Sequence, residues 1–243
     1  IPNRRACMTK ATDGQNVEQQ VAFPALSNVP ISPKAPTARK LEPDVAIIGG
    51  GAGGLSAAIA ARASGASVVV LDERKVGGGQ YYKQAVGHYP LDDQQQEGAA
   101  LLSRAKESGA EIIGSVEIWG AFDGPLFLAE CNGAAYIIQP KTAIISTGAY
   151  ERPVMVPGWT LPGVMTTGAA QTLWRSYRTL PGQRVAVCGS GPLNAQLALE
   201  LEKGGAEVTI MAESSPPPWR APRTALTAAI ADPALIVKGL LML

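Results

Sequence analysis

The sequence predicts an α/β fold with two β-α-β units and a meander of short strands between them. A buried-strand pattern leads into a glycine-rich turn and a helix at residues 44–65, and the same order returns at residues 184–205. Between the two units, short apolar runs are separated by Gly, Asp and Asn, which is typical of strands joined by turns. The repeat indicates two modules of the same architecture.

The composition limits the classes of function. The 243 residues are 46% hydrophobic with a formal charge of +1, enough for one large domain or two small ones. No basic stripe stands out, so we expect no nucleic acid partner. Three scattered cysteines and one histidine disfavour a disulfide framework, a structural zinc site, His-based metal sites and Ser-His-Asp chemistry, and we expect no metal site. We expect Cys188 to be a buried, small apolar residue.

The two ends of the chain differ in character. Residues 1–43 contain six of the 19 prolines and show no sustained apolar period, so they are predicted as a disordered or loosely packed tail. The apolar stretch at 226–243 is interrupted by Asp232, Pro233 and Lys238, so no transmembrane segment is expected. We therefore predict a cytoplasmic location, either free or peripheral to the inner face of the membrane through a complex.

The first β-α-β unit has the pattern of a dinucleotide site. The strand Asp44–Ile48 leads into G-x-G-x-x-G at Gly49, Gly51 and Gly54. The first glycine permits the tight bend, the second lets the backbone approach a diphosphate, and the third lets the helix pack against the strand. The next apolar run ends at Asp72, 18 residues after Gly54, where a carboxylate can accept from a ribose 2′-hydroxyl.

The elements that follow are predicted in chain order. We expect a loop at 77–83, a helix at 93–109, strands at 111–115, 117–121, 126–131 and 134–139, a buried strand at 143–148, a linker at 153–163 and a helix at 167–178. The loop at 77–83 follows the strand that ends at Asp72. It either passes near a bound cofactor or is an ordinary packed loop, and both interpretations stay open.

The second unit repeats the first with two departures. Its strand leads into Gly189 and Gly191, but Asn194 stands where the third glycine is expected. A side chain there must either push the helix from the strand or form a hydrogen bond near the phosphate. Ala212 takes the place of the strand-end acid, with Glu213 one position later. Binding of NAD(P), of another nucleotide or of none all remain open for this module.

Together, the two turns, the acid-ended strand and the run Ser146-Thr147-Gly148 resemble the two-dinucleotide-domain flavoprotein family that includes glutathione reductase. The resemblance implies a Rossmann-like fold of the glutathione-reductase type that binds FAD and NAD(P). Three further segments, 78–82, 147–153 and 157–164, resemble a narrower group. That group comprises opine oxidase A subunits, hydrogen cyanide synthase B subunits, and the α subunits of sarcosine oxidase and proline dehydrogenase.

The resemblance implies an FAD-binding domain at 44–155 and a second dinucleotide-binding domain at 156–243. The second domain is expected to be incomplete, because members of the group continue further along the chain. In the first module the cofactor-binding residues are expected to be Gly49, Gly51, Ala52, Gly53, Gly54, Asp72, Glu73, Arg74, Gly79, Gln80, Thr147 and Gly148. In the second they are expected to be Gly189, Gly191 and Asn194.

The region 76–86 lacks the C-x-x-x-x-C pair of the superfamily's disulfide reductases, which excludes thiol–disulfide chemistry. The resemblance implies oxidation of an amine or amino acid, of opine, sarcosine, proline or glycine type, by hydride transfer to FAD. It also implies a small-molecule substrate and a second catalytic subunit in a hetero-oligomer. No catalytic residue is identified. The alternatives are an NAD(P)H-dependent flavoprotein reductase and a non-catalytic nucleotide-binding subunit of such a complex.

Overall fold

The structure is a computed structural model that describes residues 38–213. The strands are β1 Arg39–Leu41, β2 Val45–Ile48, β3 Val68–Leu71, β4 Glu111–Ile113, β5 Val116–Phe122, β6 Leu126–Cys131, β7 Ala134–Ile138, β8 Thr142–Ile145, β9 Arg184–Gly189 and β10 Glu207–Glu213. The helices are α1 Ala52–Ala63, α2 Gly79–Tyr82, α3 Asp93–Glu107, α4 Thr167–Tyr177 and α5 Pro192–Lys203. None of these helices is long and apolar enough to cross a bilayer.

A parallel sheet of four strands, in the order β4-β3-β2-β8, forms the centre of the first module. All four residues of β3 are buried, as expected for a strand covered on both faces. Because side chains alternate along a strand, Val69 and Leu71 pack on one face and Val68 and Val70 on the other. Helix α1 covers the second face through Ala58.

A second sheet, in the order β1-β7-β6-β5, covers the other face of the parallel sheet. Its meander strands β5, β6 and β7 pair antiparallel, as predicted, whereas β1 pairs parallel with β7. Strand β1 lies inside the range 1–43 that the sequence predicts as a tail, and residues 1–37 lie outside the described residues. Strand β4 is predicted beside the meander strands, but it extends the parallel sheet instead.

Two further predictions differ from the structure. The predicted loop at 77–83 contains the helical turn α2, because Tyr82 and Gln84 pack closely against Gly98 of α3. The strand predicted as buried at 143–148 is β8, which pairs with β2 alone among the described strands and leaves Ile145 64% exposed. Within residues 38–213 it is therefore an edge strand.

The second module comprises β9, α5 and β10, with β9 and β10 parallel and α4 packed beside them. A buried ion cluster joins this module to the first. Arg175 of α4, 1% exposed, lies 2.8 Å from Asp92, the N-cap of α3, and 2.7 Å from Glu200 of α5. Gln95 adds a hydrogen bond of 3.0 Å from its Nε2 to the carbonyl of Arg175. Charged hydrogen bonds thus hold three helices together.

Candidate dinucleotide site

The topology of the parallel sheet creates a crevice. From β2 the chain continues to β3 on one side, while β8 pairs on the other side, so the loops at their carboxyl ends separate. Ligands of open α/β sheets bind outside the strands at such a switch point. A cavity of about 400 Å³ opens there. Its walls are Gly49, Gly51, Ala52, Gly53, Asp72, Glu73, Arg74, Gly78, Gly79, Gln80, Tyr81, Ser146, Thr147, Gly148, Ala149 and Tyr150.

The three glycines of the first turn have different surroundings. Gly49 has φ +104°, and a Cβ there would lie 2.3 Å from the Ser146 carbonyl oxygen. A Cβ on Gly54 would lie 1.9 Å from the Gly49 carbonyl oxygen, so α1 approaches the turn as closely as its backbone allows. By contrast, Gly51 has φ −76°, and a Cβ there would meet only the Gly79 Cα, at 3.6 Å. A Cβ on Gly51 would thus make only one ordinary contact, and Gly51 lines the cavity.

Asp72 lies beneath the turn and is 6% exposed. Its Oδ2 accepts a hydrogen bond of 2.5 Å from the Gly50 N–H, and its Oδ1 accepts one of 2.7 Å from the Arg74 N–H. Each carboxylate oxygen can accept more than one hydrogen bond. The carboxylate thus holds the turn in place and retains acceptor capacity on the cavity side.

Glu73 and Tyr150 line the cavity from the loops after β3 and β8. The Tyr150 hydroxyl donates a hydrogen bond to the Glu73 carboxylate, and this contact, followed by burial, raises the pKa of Tyr150 to about 12. Tyr150 is absent from the predicted site residues. Its position two residues after Gly148, in the same loop, is the feature of the sequence that could have identified it.

Gln80 lines the cavity from α2, and Lys83 lies directly behind it. The Lys83 Nζ donates a hydrogen bond of 2.5 Å to Gln80 Oε1. Lys83 is 2% exposed, and burial, followed by repulsion from Arg74, lowers the pKa of Lys83 to about 8. The attractions of Glu151 and Glu200 and the repulsion of Arg175 are weaker influences on the same ammonium group.

The structure brings together the residues predicted for the first module. Eleven of the twelve line the cavity, and Gly54 lies behind it, where it allows helix α1 to pack closely. Five lining residues were missed: Gly78, Tyr81, Ser146, Ala149 and Tyr150. Four of them are direct neighbours in the chain of predicted residues, and Tyr150 lies two residues after Gly148.

The second turn has a different geometry. Gly191 has φ +111°, whereas Gly51 at the equivalent position has φ −76°. The Gly191 N–H donates a hydrogen bond of 3.3 Å to Glu213 Oε1. Glu213 therefore reaches the turn although it lies one position after Ala212, the residue equivalent to Asp72. Asn194 is 7% exposed and its Oδ1 accepts a bond of 2.6 Å from the Thr167 hydroxyl. The Asn194 side chain therefore binds helix α4.

Cys188, which precedes the second turn, is exposed, so the prediction of a buried side chain was wrong. Strand β9 pairs with β10 alone among the described strands, and this small sheet leaves one of its faces open. No group of three or more His, Cys, Asp or Glu side chains that could hold a metal ion occurs between residues 38 and 213.

Comparisons with known proteins agree with this geometry. The profile of the pyridine nucleotide-disulphide oxidoreductase family matches residues 43–232. This chain belongs to that family. Family membership confirms the predicted Rossmann-type fold and implies FAD and NAD(P) as the cofactors.

Individual relatives agree with the narrower resemblance. The A subunit of opine oxidase from Agrobacterium tumefaciens (strain Ach5) is 40% identical over 88 residues, which are 36% of this chain and 18% of the relative. The hydrogen cyanide synthase subunit HcnB of Pseudomonas aeruginosa (strain PAO1) is 38% identical over 71 residues, 29% of this chain and 15% of the relative. The matched segments are thus less than a fifth of these relatives' lengths.

Among solved structures, L-proline dehydrogenase from P. horikoshii superposes with a TM-score of 0.62 at 23% identity, over 72% of this chain and 36% of that chain. This likeness establishes the shared fold. The first-module cavity fits the dinucleotide that the family implies, because Gly51 lines it without a side chain and so lets a diphosphate approach the backbone.

Proposed function

We propose that this chain carries the FAD site of an oxidoreductase subunit that oxidises an amine or amino acid of opine, sarcosine, proline or glycine type. The crevice at the switch point of the parallel sheet, with its open Gly51 and its acidic wall, is the observation that carries this proposal. The names of the relatives support the substrate class. The absence of cysteine from residues 76–86 argues against thiol–disulfide chemistry at the site.

Each wall of the crevice has a role in this proposal. The amides at the N-terminus of α1 hold the diphosphate, whose negative charge the helix dipole favours. Asp72 and Glu73, at the end of β3, accept hydrogen bonds from the adenosine ribose. The flavin, when bound, supplies the two-electron acceptor, while the protein supplies position and electrostatics. Thr147 and Gly148 form the opposite wall, beyond β8.

We further propose that the small-molecule substrate binds with the help of a second catalytic subunit. The matching relatives are named as subunits, and the described residues include no group that we can assign as the substrate's base. In this proposal the chain holds the cofactor and the partner completes the substrate site in a hetero-oligomer.

The test is the absorption spectrum of the purified protein, titrated first with opines, sarcosine, proline and glycine and then with NADH. We expect a flavin spectrum that one of the amines bleaches. A preparation that retains no flavin would contradict the site. If a nucleotide is retained but no amine bleaches it until a second subunit is added, the chain is a non-catalytic nucleotide-binding subunit.

One observation favours a second candidate function, an NAD(P)H-dependent flavoprotein reductase. Glu213 reaches the glycine turn of the second module, as Asp72 reaches the turn of the first. An acid at this place accepts a hydrogen bond from a ribose hydroxyl in dinucleotide-binding folds. Bleaching by NADH without any amine would select the reductase over the amine dehydrogenase.

A further inference from the structure

Lys83 is a buried cation that has no ion-pair partner among the described residues; Glu151 and Glu200 attract it only from a greater distance. The side chain is 2% exposed, and none of the ion pairs found between residues 38 and 213 involves it. Its Nζ donates to a neutral amide oxygen, that of Gln80, at 2.5 Å. Burying a charge without a counter-charge costs stability. A residue that costs stability at a cofactor crevice invites a functional explanation.

The backbone of Lys83 is held from two sides. Its φ of +36° is in the left-handed region, at the C-terminal end of α2. Its carbonyl oxygen accepts a hydrogen bond of 2.5 Å from Nε2 of Gln95, a residue of α3 that is fully buried. The packing of α2 on α3 therefore holds the buried ammonium group next to Gln80, whose own side chain is exposed at the cavity.

The contact determines which end of the Gln80 amide faces the cavity. A lysine ammonium has three donors and no acceptor, so it pairs with the amide oxygen and not with the amide NH₂. The NH₂ group of Gln80 is then left for the cavity, which Gln80 lines. Without Lys83, the carboxamide could present either end, because its oxygen and nitrogen ends have nearly the same shape.

We propose that Lys83 is a positioning residue that orients Gln80 so that the Gln80 NH₂ group donates to an acceptor atom of the bound dinucleotide. This inference rests on the FAD site proposed above. It assigns Lys83 no contact with the cofactor and makes its effect pass entirely through Gln80. It also explains why an amide and a buried amine occur three residues apart in a single helical turn.

A double-mutant cycle tests the inference. The dissociation constant of FAD from the apoprotein is measured for the wild type, Lys83→Met, Gln80→Met and the double variant, with apoprotein melting temperatures alongside. We expect Gln80→Met to weaken binding about tenfold, the value of one hydrogen bond to the ligand. Lys83→Met should weaken it less, by at least about twofold, because the freed amide presents its NH₂ group for only part of the time. The double variant should be no weaker than Gln80→Met, because the two residues act in series.

The melting temperature separates positioning from packing. Lys83→Met removes a buried unpaired charge, so the apoprotein should be as stable as the wild type or more stable while FAD binding weakens. A parallel fall in melting temperature and FAD affinity would identify Lys83 as a packing residue and overturn the inference. Losses of affinity that add in the double variant, or an unchanged affinity in Lys83→Met, would overturn it as well. Lys75→Met, an exposed lysine of the same loop that does not line the cavity, is the matched control and should bind FAD normally.

A second measurement needs no variant at Lys83. In wild-type protein with ¹⁵N-labelled glutamine, the Gln80 NH₂ signal, assigned with Gln80→Met, should shift when FAD is added. An unshifted signal in protein that binds FAD overturns the inference and leaves the FAD site intact. Wild-type protein that binds no FAD contradicts the site itself, so the two failures are distinct.

Discussion

The guanidinium of Arg175 lies 2.8 Å from the carboxylate of Asp92, the same carboxylate that caps helix α3. One acid thus caps the N-terminus of helix α3 in the first module and pairs with a buried cation from α4. Because Arg175 also pairs with Glu200 of α5, the contact connects the two modules through side chains that are costly to separate.

Removing the Asp92 carboxylate should destabilise the protein. Asp92→Ala loses a helix cap, worth about 1 kcal/mol, and a charged hydrogen bond, worth about 1.5–3 kcal/mol. We expect the free energy of unfolding to fall by about 2–4 kcal/mol in denaturant titrations. Asp93→Ala, which removes the neighbouring acid without touching Arg175, should change it by less than about 0.5 kcal/mol. Equal losses in both variants would show that the contact with Arg175 is unimportant.

Substitutions at two glycines of the first turn should affect cofactor binding and stability separately. Gly51→Val places its side chain in the open crevice, so we expect a folded protein that retains no flavin. Gly54→Ala forces a methyl group against the Gly49 carbonyl and should cost about 3 kcal/mol of stability. Circular dichroism and the flavin absorbance of the purified variants measure the two effects. Normal flavin content in Gly51→Val would place the cofactor elsewhere.

The stability of the apoprotein should depend on pH through Lys83. Its folded-state pKa of about 8 lies below its ordinary value of 10.5, so the unfolded chain binds more protons between those values. Stability therefore rises with pH across this window as the penalty of the buried charge is lost. At pH 7, Lys83→Met should be more stable than the wild type by about 2 kcal/mol, the cost of the shift after solvent screening is allowed for, and the difference should shrink toward pH 10. A difference that stays constant with pH would contradict this. Lys75→Met provides the exposed control.

Glu213 should set the nucleotide preference of the second module. A carboxylate near the ribose accepts from a 2′-hydroxyl and repels a 2′-phosphate. We expect NADH to bind at least about tenfold more tightly than NADPH, and Glu213→Ala to reduce this preference. Fluorescence titration measures both affinities. Glu207→Ala removes the acid at the other end of β10 and should leave the preference unchanged, whereas tighter binding of NADPH to the wild type would refute the assignment.

The sequence predicted the first module well because its pattern is local. A fully apolar strand, a glycine turn and an acid at the next strand end can be recognised without knowing what packs on them. The bounds of helices and strands in the structure differ by a few residues from the pattern where tertiary packing determines them. Helix α1, for example, begins at Ala52, within the glycine turn, because Gly51 acts as its N-cap and Gly54 is held against Gly49.

The features that were missed depend on contacts between distant parts of the chain. The glycines Gly78 and Gly79 favour a loop, yet contacts with Gly98 stabilise the helical turn that brings Lys83 to Gln80. The ion cluster at Arg175 joins residues that are 83 and 25 positions apart, which no periodicity indicates. The division of the chain at residues 43 and 155, and the roles of the site residues, remain predictions.

Strand β8 supports the far wall of the crevice, and within residues 38–213 it has a neighbour on one side only. Its outward amides and carbonyls are therefore available to another strand, and hydrogen exchange should be fastest on this side of the sheet. Any segment that pairs there would stiffen the loop of Thr147 and Gly148 at the same time. We therefore expect pairing on this edge of β8 to strengthen retention of the nucleotide.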